Sequence, residues 1–429
     1  MMPLTYVAIF AFLLVAGAPI AFALLIGPGL SLALNGDSDL TKMLLSRLYN
    51  GVDSFPLLAL PFFILAGELM NAGGVTQMIV RFSQTMIGHV RGGLAQVNIL
   101  SSILFAGLSG SAVADTSALG KMLIPAMEKN GYSRDFAAAV TAASSVIGPI
   151  IPPSGIMILY AFVMNVSVAG LFAAGLVPGV MVGVGLMVLT AVIARRRGFP
   201  TASERAGWTE RRRSFFDAFP ALLTPVILLG GILSGVFTPT EAAAVAAAYA
   251  LIVALFVTRA LTPAELPALF VRAAAQSGAI LFLVGAAVSF AWMVTVSGLA
   301  DQALATISGL TDNKLLLLLL LNLFLFAVGM FLDAGPALMI LGPILAPIFV
   351  GMGVHPLHFA IVMCVNLTIG LATPPMGLIL FVAASVSGVK PERIAAAMAP
   401  FLAVEIAVIF LITYFPAISL TIPRLLGLM

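Results

Sequence analysis

A chain of 429 residues that is 61% hydrophobic and 9% charged, with a mean hydropathy of +1.16, is too poor in charge for a soluble globular protein. Its net charge of +3 implies no nucleic-acid partner once the charges are placed along loops, and its single cysteine, Cys364, rules out an intrachain disulfide. The 26 prolines and 40 glycines exceed what plain spanning rods use and point to broken or closely packed transmembrane helices.

A spanning helix takes about 20 apolar residues, and a run with no room to cross twice must fold back. On that rule residues 5–34 form one long first span, bent at Gly27-Pro28-Gly29 and retained, since no basic n-region or cleavage signal precedes it. A span over 55–73 follows, then an amphipathic arm over 75–92. Residues 94–127 are two short apolar arms meeting at Gly107-Leu-Ser-Gly-Ser111, which predicts a re-entrant hairpin. A broken helix over 135–164 and a span over 168–194 complete the first half. The basic stretch from Arg195 to Arg213 divides the chain. Beyond it lie spans at 217–236 and 240–258, with Thr238-Pro-Thr-Glu241 as a capping box between them. Thr262-Pro-Ala-Glu265 opens a short amphipathic arm in the same way, before a span at 274–297 and a surface segment at 298–314. A second hairpin (315–349), a second broken helix (357–386) and a final span (394–423) end the chain. With the 195–213 loop in the cytoplasm, alternation gives the cytoplasmic loops 15 of the 20 basic residues. That is the bias the positive-inside rule asks for, and it puts the N-terminus inside and the C-terminus in the periplasm.

The two broken helices carry matching segments, Gly148-Pro-Ile-Ile-Pro-Pro-Ser-Gly155 and Gly370-Leu-Ala-Thr-Pro-Pro-Met-Gly377. Proline has no N–H, so Pro152 and Pro153 free the carbonyls of Gly148 and Pro149, and Pro374 and Pro375 free those of Gly370 and Leu371. Such oxygens cannot face lipid and need protein, water or an ion. Asp115 to Pro125 spaces as Asp333 to Pro343, a shift of 218; from Gly131 onward the halves match at a shift of 222. The element order repeats, and the helix at 217–236 turns the second copy upside down. This predicts an all-α polytopic membrane protein of two inverted-topology repeats, each with a re-entrant helical hairpin and a proline-broken transmembrane helix. The units are 1–194 (first repeat), 195–216 (basic loop), 217–236 (linking helix) and 237–429 (second repeat). In transporters such repeats place the site at their interface, near the bilayer midplane.

Gly107 to Asp115, Gly148 to Gly155, Gly235-Val-Phe-Thr-Pro-Thr-Glu-Ala242 and Asn366 to Gly377 resemble the large membrane subunit of tripartite ATP-independent periplasmic (TRAP) transporters over essentially the full length. The resemblance implies an elevator-type secondary transporter of a bacterial inner membrane, driven by co-transported sodium, with no organic cofactor and no enzymatic activity. It also implies a small membrane subunit as a separate polypeptide and a soluble periplasmic binding protein that delivers an organic acid. Family substrates include C4-dicarboxylates, sialic acids and other sugar or keto acids.

Sodium can be held by backbone carbonyls at helix ends. One expected site joins Ser144, Ser145 and the Gly148 carbonyl to the tip Ser109-Gly110-Ser111; its partner joins Asn366, Gly370 and Thr373 to Gly329 and Met330. Positive helix ends suit a carboxylate, with Ser109, Ser111, Ser154 and Thr373 as contacts. No intramembrane arginine clamp is evident, so the binding protein would supply most of the selectivity. Asp115 and Asp333 are read as equivalent intramembrane acids, for coupling or for helix starts. Glu68 and Glu405 are lone acids that serve as proton carriers if protons couple. Three rivals stand beside this reading. A stand-alone sodium- or proton-coupled carboxylate carrier keeps the fold. A Walker-type pump fails at Gly120-Lys121, where Met122 replaces the Ser/Thr. An intramembrane serine protease would use Gly107-Leu-Ser-Gly110, and its base would have to be His355 or His358.

Overall fold

The computed structural model describes residues 2–199, 201, 205–299, 302 and 313–429. Among these, regular structure is helical apart from one isolated bridge between Arg91 and Thr201, and seven helices are long and apolar enough to cross a membrane. The fold is the all-α, two-repeat polytopic architecture that the sequence predicts. Most of the surface segment expected at 298–314 lies outside the described residues.

The first hairpin joins Gly93–Ser109 to Ala112–Lys129. Its arms have 17 and 18 residues, about 25–27 Å at 1.5 Å per residue, short of the roughly 30 Å hydrocarbon core. Gly110 turns the tip with φ +58°, and the Ser111 hydroxyl caps the return arm by accepting from the Ala114 N–H. The first broken helix follows as Arg134–Ser145, a non-helical stretch, and Gly155–Val163. The second half repeats the plan with Lys314–Gly329 and Ala334–Gly351, then Pro356–Gly370 and Leu378–Ser387.

Around these elements stands a frame of long helices. Phe55–Ala72 and Pro239–Ile252 lie against each other. Ala242, Ala243, Ala246, Ala247 and Ala250 are all buried, so the helices approach closely, as small residues allow in membranes. Thr240 Oγ1 donates to the Phe55 carbonyl at 3.0 Å and joins the tops of the pair. The Thr238–Glu241 capping box is formed on both sides: the Thr238 N–H donates to Glu241 Oε2 at 2.8 Å, and the Glu241 N–H to Thr238 Oγ1 at 3.3 Å. Thr238→Ala is expected to destabilise the protein by about 1 kcal/mol, seen as a lower Tm in detergent with transport retained.

Four expectations about the elements need correction. Residues 5–34 are two helices, Met2–Val15 and Ile20–Leu34, packed antiparallel. The chain turns at Gly17 (φ +83°), while Pro28 stays inside the second helix, where Gly27 seats against Tyr6 and Phe10. The start of the chain and Leu34 therefore lie at the same end of this pair, unlike the ends of a single crossing. The arm expected at 263–273 is continuous with the following span as Leu266–Val296; its 31 residues measure about 46 Å, long enough to project beyond the bilayer. The basic loop is shorter than 195–216, because Arg195–Arg197 end the helix Val168–Arg197 and Arg211–Arg213 lie in the early turns of Trp208–Leu233. The final span stops at Tyr414, and Ala417–Leu425 is a separate short helix. An amphipathic helix over Ser38–Val52 was not foreseen.

The register of the repeat also changes. The return arms begin at caps Ser111 and Asp333, and the next helices at caps Ser133 and His355, each pair 222 residues apart. The same shift carries Gly120 to Gly342 and Pro125 to Pro347. Pro343 and Pro347 both lie in the second return arm, and matching Pro125 to Pro343 caused the misalignment by 218. Asp115 and Asp333 are consequently not equivalent: Asp115 is one turn inside its arm, and Asp333 is an N-cap.

Candidate functional site

The first hairpin tip and the first break meet. A methyl group added to Gly110 would lie 2.8 Å from the Pro153 carbonyl oxygen, and one on Gly148 would lie 2.5 Å from Asp115 Oδ2. Asp115 is fully buried; its Oδ1 accepts a hydrogen bond from the Ser109 hydroxyl, and its Oδ2 has no partner among the described residues. An unpaired buried carboxylate oxygen is costly without a cation or proton. Ser109, Gly110, Gly148 and Asp115 thus form one cluster. Gly110→Ala is expected to be severe, because the tip needs positive φ and has no room for a methyl; a loss of several °C in Tm together with lost transport would show it.

Ser144 and Ser145 approach the same break differently. Ser144 bonds Ser102 (2.9 Å) and Asn98 (3.3 Å) of the outgoing hairpin arm, and the Ser145 hydroxyl donates to the Thr141 carbonyl at 2.7 Å. The Ser154 hydroxyl donates to the Pro149 carbonyl at 2.5 Å and accepts from the Met157 N–H, so it closes the break and starts the next half-helix. The Gly148 carbonyl accepts no hydrogen bond among the described residues.

The second cluster is built on the same plan with different groups. Gly329 lies against Gly370, where an added methyl would come 2.6 Å from the Gly329 Cα. Asn366 Nδ2 donates to Asn322 Oδ1 at 2.8 Å, and Asn366 Oδ1 is buried without a partner. Asn322 in the second hairpin does for Asn366 what Asn98 does for Ser144. Met330 follows Gly329 at the tip, and Thr373 Oγ1 donates to the Ile369 carbonyl at 3.0 Å. One expectation is overturned here. The carbonyls of Gly370 and Leu371 are already bonded, to the N–H groups of Thr373 (2.9 Å) and Ile379 (2.9 Å). The turn that follows the helix end supplies both donors, so the two breaks are not chemically equal. Asp333 stays at the tip, accepting from the Ala334 N–H at 2.8 Å.

Between the first hairpin and the frame opens a cavity of about 1110 Å³. Ser109, Ser111, Ser117 and Lys121 line it from the hairpin; Glu68 and Asn71 from the span Phe55–Ala72; Gln77 from the arm helix Val75–Ile87; and Gln276 from Leu266–Val296. Ala114, Ser117, Ala118 and Lys121 are spaced i, i+3, i+4, i+7, so the helix presents them on one face. Glu68 Oε2 stands 3.9 Å from Arg272 Nε, whereas Lys121 has no ion-pair partner among the described residues. Ser117, Asn98, Asn322 and Gln276 are candidate-site residues that the sequence reading did not name, and Lys121 entered it only as the end of a failed Walker pattern. Glu405 is elsewhere, fully buried in Pro391–Tyr414 with both carboxyl oxygens unpartnered among the described residues. The histidines stay away from Ser109: His358 bonds Ser419 (2.8 Å) and the Thr413 carbonyl (3.2 Å), and His355 caps its own helix.

Two hairpins facing two broken helices within a helical frame define a secondary-transporter permease. The fold is shared with the YdaH transporter of Alcanivorax borkumensis, at TM-score 0.64 and 16% identity over 89% of this chain and 90% of that one. The chain belongs to the tripartite ATP-independent periplasmic transporter family as a DctM component, whose family model matches residues 7–418. It is similar to the sialic acid TRAP transporter large permease protein SiaM of Vibrio cholerae, 38% identical over 96% of each chain. It is also similar to the C4-dicarboxylate TRAP transporter large permease protein DctM of Pseudomonas aeruginosa, 37% identical over 91% of each.

Proposed function

We propose that this chain is the permease through which a bacterium takes up an organic acid across its inner membrane, coupled to sodium. The carrying observation is the cavity that sets the unpaired Lys121 cation and the tip hydroxyls of Ser109 and Ser111 against the frame. A carboxylate suits that combination, because a charge-assisted hydrogen bond is about twice as strong as a neutral one. The relatives are named for sialic acid and for C4-dicarboxylates at nearly equal identity, so similarity alone does not choose between these acids. Sodium fits the Ser109–Asp115–Gly148 cluster and the Asn366–Gly370 cluster. No three His, Cys, Asp or Glu side chains gather among the described residues, and carbonyl, hydroxyl and amide oxygens suit an ion that must also leave. Hairpins and breaks move as one body against the frame, in an elevator motion that carries the cavity across the membrane. A small membrane subunit and a periplasmic binding protein complete the system, and the basic loops face the cytoplasm.

Uptake of labelled carboxylates into proteoliposomes tests this, with the chain alone and with both partners, under a sodium or a proton gradient. Uptake that needs both partners and sodium is the expected result. Uptake by the chain alone would replace the tripartite reading with a stand-alone carrier. Dependence on protons alone would remove sodium and bring Glu68 and Glu405 forward.

A further inference from the structure

A second hollow, of about 810 Å³, lies on the other side of the first hairpin, between the turn that ends the arm and the helix Val168–Arg197. We infer that it binds one anionic phospholipid, with the phosphate held by Arg91 and Arg195 and an acyl chain lying along the apolar stripe below them. The site is built rather than incidental. Gly92 has φ +73° and seats directly on Ala194, where an added methyl would come 2.6 Å from the Ala194 Cβ; the Arg91–Thr201 bridge fixes the same turn from the other side. The turn and the helix end therefore hold the two guanidinium groups beside one opening.

Charge and shape select the occupant. Val184, Met187, Val188, Ala191 and Arg195 recur at helical spacing, so one face runs from apolar to cationic. Val184 and Val188 are exposed, and no described residue covers them. Neither Arg91 nor Arg195 is in an ion pair among the described residues. Two cations at the end of an apolar stripe match a headgroup phosphate above a hydrocarbon chain, and long basic side chains favour that boundary. Gln96 ties the wall of the hollow together. It is 5% exposed, and its Nε2 donates to the Met187 carbonyl at 2.8 Å. Its Oε1 is buried without a partner at the wall of the hollow. The occupant would bridge the arm, the hairpin base and Val168–Arg197.

The test uses delipidated full-length chain in detergent, titrated with phosphatidylglycerol, phosphatidylcholine or soluble sn-glycerol 3-phosphate, with native mass spectrometry reading one bound molecule. About one kcal/mol per basic residue near an anionic surface makes the expected preference for phosphatidylglycerol over phosphatidylcholine on the order of thirtyfold for the two arginines. Arg91→Gln/Arg195→Gln should remove the preference, and Arg91→Lys/Arg195→Lys should keep most of it. Arg196→Gln/Arg212→Gln, an equal loss of charge outside the hollow, should leave it unchanged. These arginines are exposed, so the variants are expected to fold, and an unchanged Tm checks this. Equal binding of both lipids, a preference that survives the Gln pair, or a preference lost in the outside pair would overturn the proposal. Glycerol phosphate binding as well as the lipid would make the hollow a soluble-anion site and overturn it too.

Discussion

Replacing Lys121 with Gln is expected to raise the KM for uptake of the organic acid about 10- to 100-fold, with Vmax little changed, because a hydrogen bond to a charged group contributes roughly 1.5–3 kcal/mol. Among the described residues that line the cavity, Lys121 is the cation without an ion pair, and it lies on the hairpin face that carries Ser117 and, nearer the tip, Ser111. Removing it takes away a side-chain charge there that attracts a carboxylate. Lys121→Arg should keep uptake within a fewfold, and Lys121→Glu should abolish it by setting like charges together. Initial rates in proteoliposomes against substrate concentration separate the cases. A Lys121→Gln protein with wild-type KM would remove this residue from the substrate site, and a lowered Tm with unchanged KM would make it a packing residue.

The second large effect concerns Asp115. Asp115→Asn keeps the shape and removes the charge beside Gly148, so half-saturating sodium should rise by about tenfold or more at constant substrate, on the same estimate for a charged contact. Gly148→Ala should act similarly, since its methyl would meet the carboxylate. Asp333→Asn is the informative control: asparagine caps a helix about as well as aspartate, so sodium dependence should stay close to wild type. Sodium-dependent initial rates decide. Equal shifts in both variants would restore the equivalence of the two acids that the structure removes, and no shift in either would take sodium away from this cluster.

What the sequence made readable was local. Pro-Pro pairs, glycines at turns and capping boxes act within a few residues, so the hairpins, breaks and the Thr238 cap could be placed without knowing what they touch. Misreadings came where tertiary contact decides. Pro28 looked like a break, yet neighbouring helices tolerate proline inside a membrane helix, and the real turn is the less conspicuous Gly17. Pro374 and Pro375 free carbonyls in principle, but the chain after them folds back and supplies N–H donors to Gly370 and Leu371. Lys121 was read only as the end of a failed Walker pattern. Its i, i+3, i+4, i+7 spacing with Ala114, Ser117 and Ala118 was available, but the facing wall of Glu68 and Gln276 comes from distant parts of the chain. Asn98 and Asn322 were hidden for the same reason: their importance lies in the Ser144 and Asn366 they hold.

Those two asparagines also say where the chain tolerates a change of length. From Ser111 and Asp333 through the following caps to the Pro-Pro pairs, every counterpart is 222 residues away, whereas Asn98 and Asn322 are 224 apart while serving corresponding partners. Within that long block the two copies have stayed in step. Between asparagine and cap, the span from Asn322 to Asp333 is two residues shorter than that from Asn98 to Ser111. By the helix ends, the second turn, Met330 to Asp333, has four residues where the first, Gly110 to Ser111, has two, so it is the outgoing arm beyond the asparagine that is shorter in the second copy. A spectroscopic tag near the second site should therefore leave the return arm and the helix after it untouched, since their register is the one both copies keep.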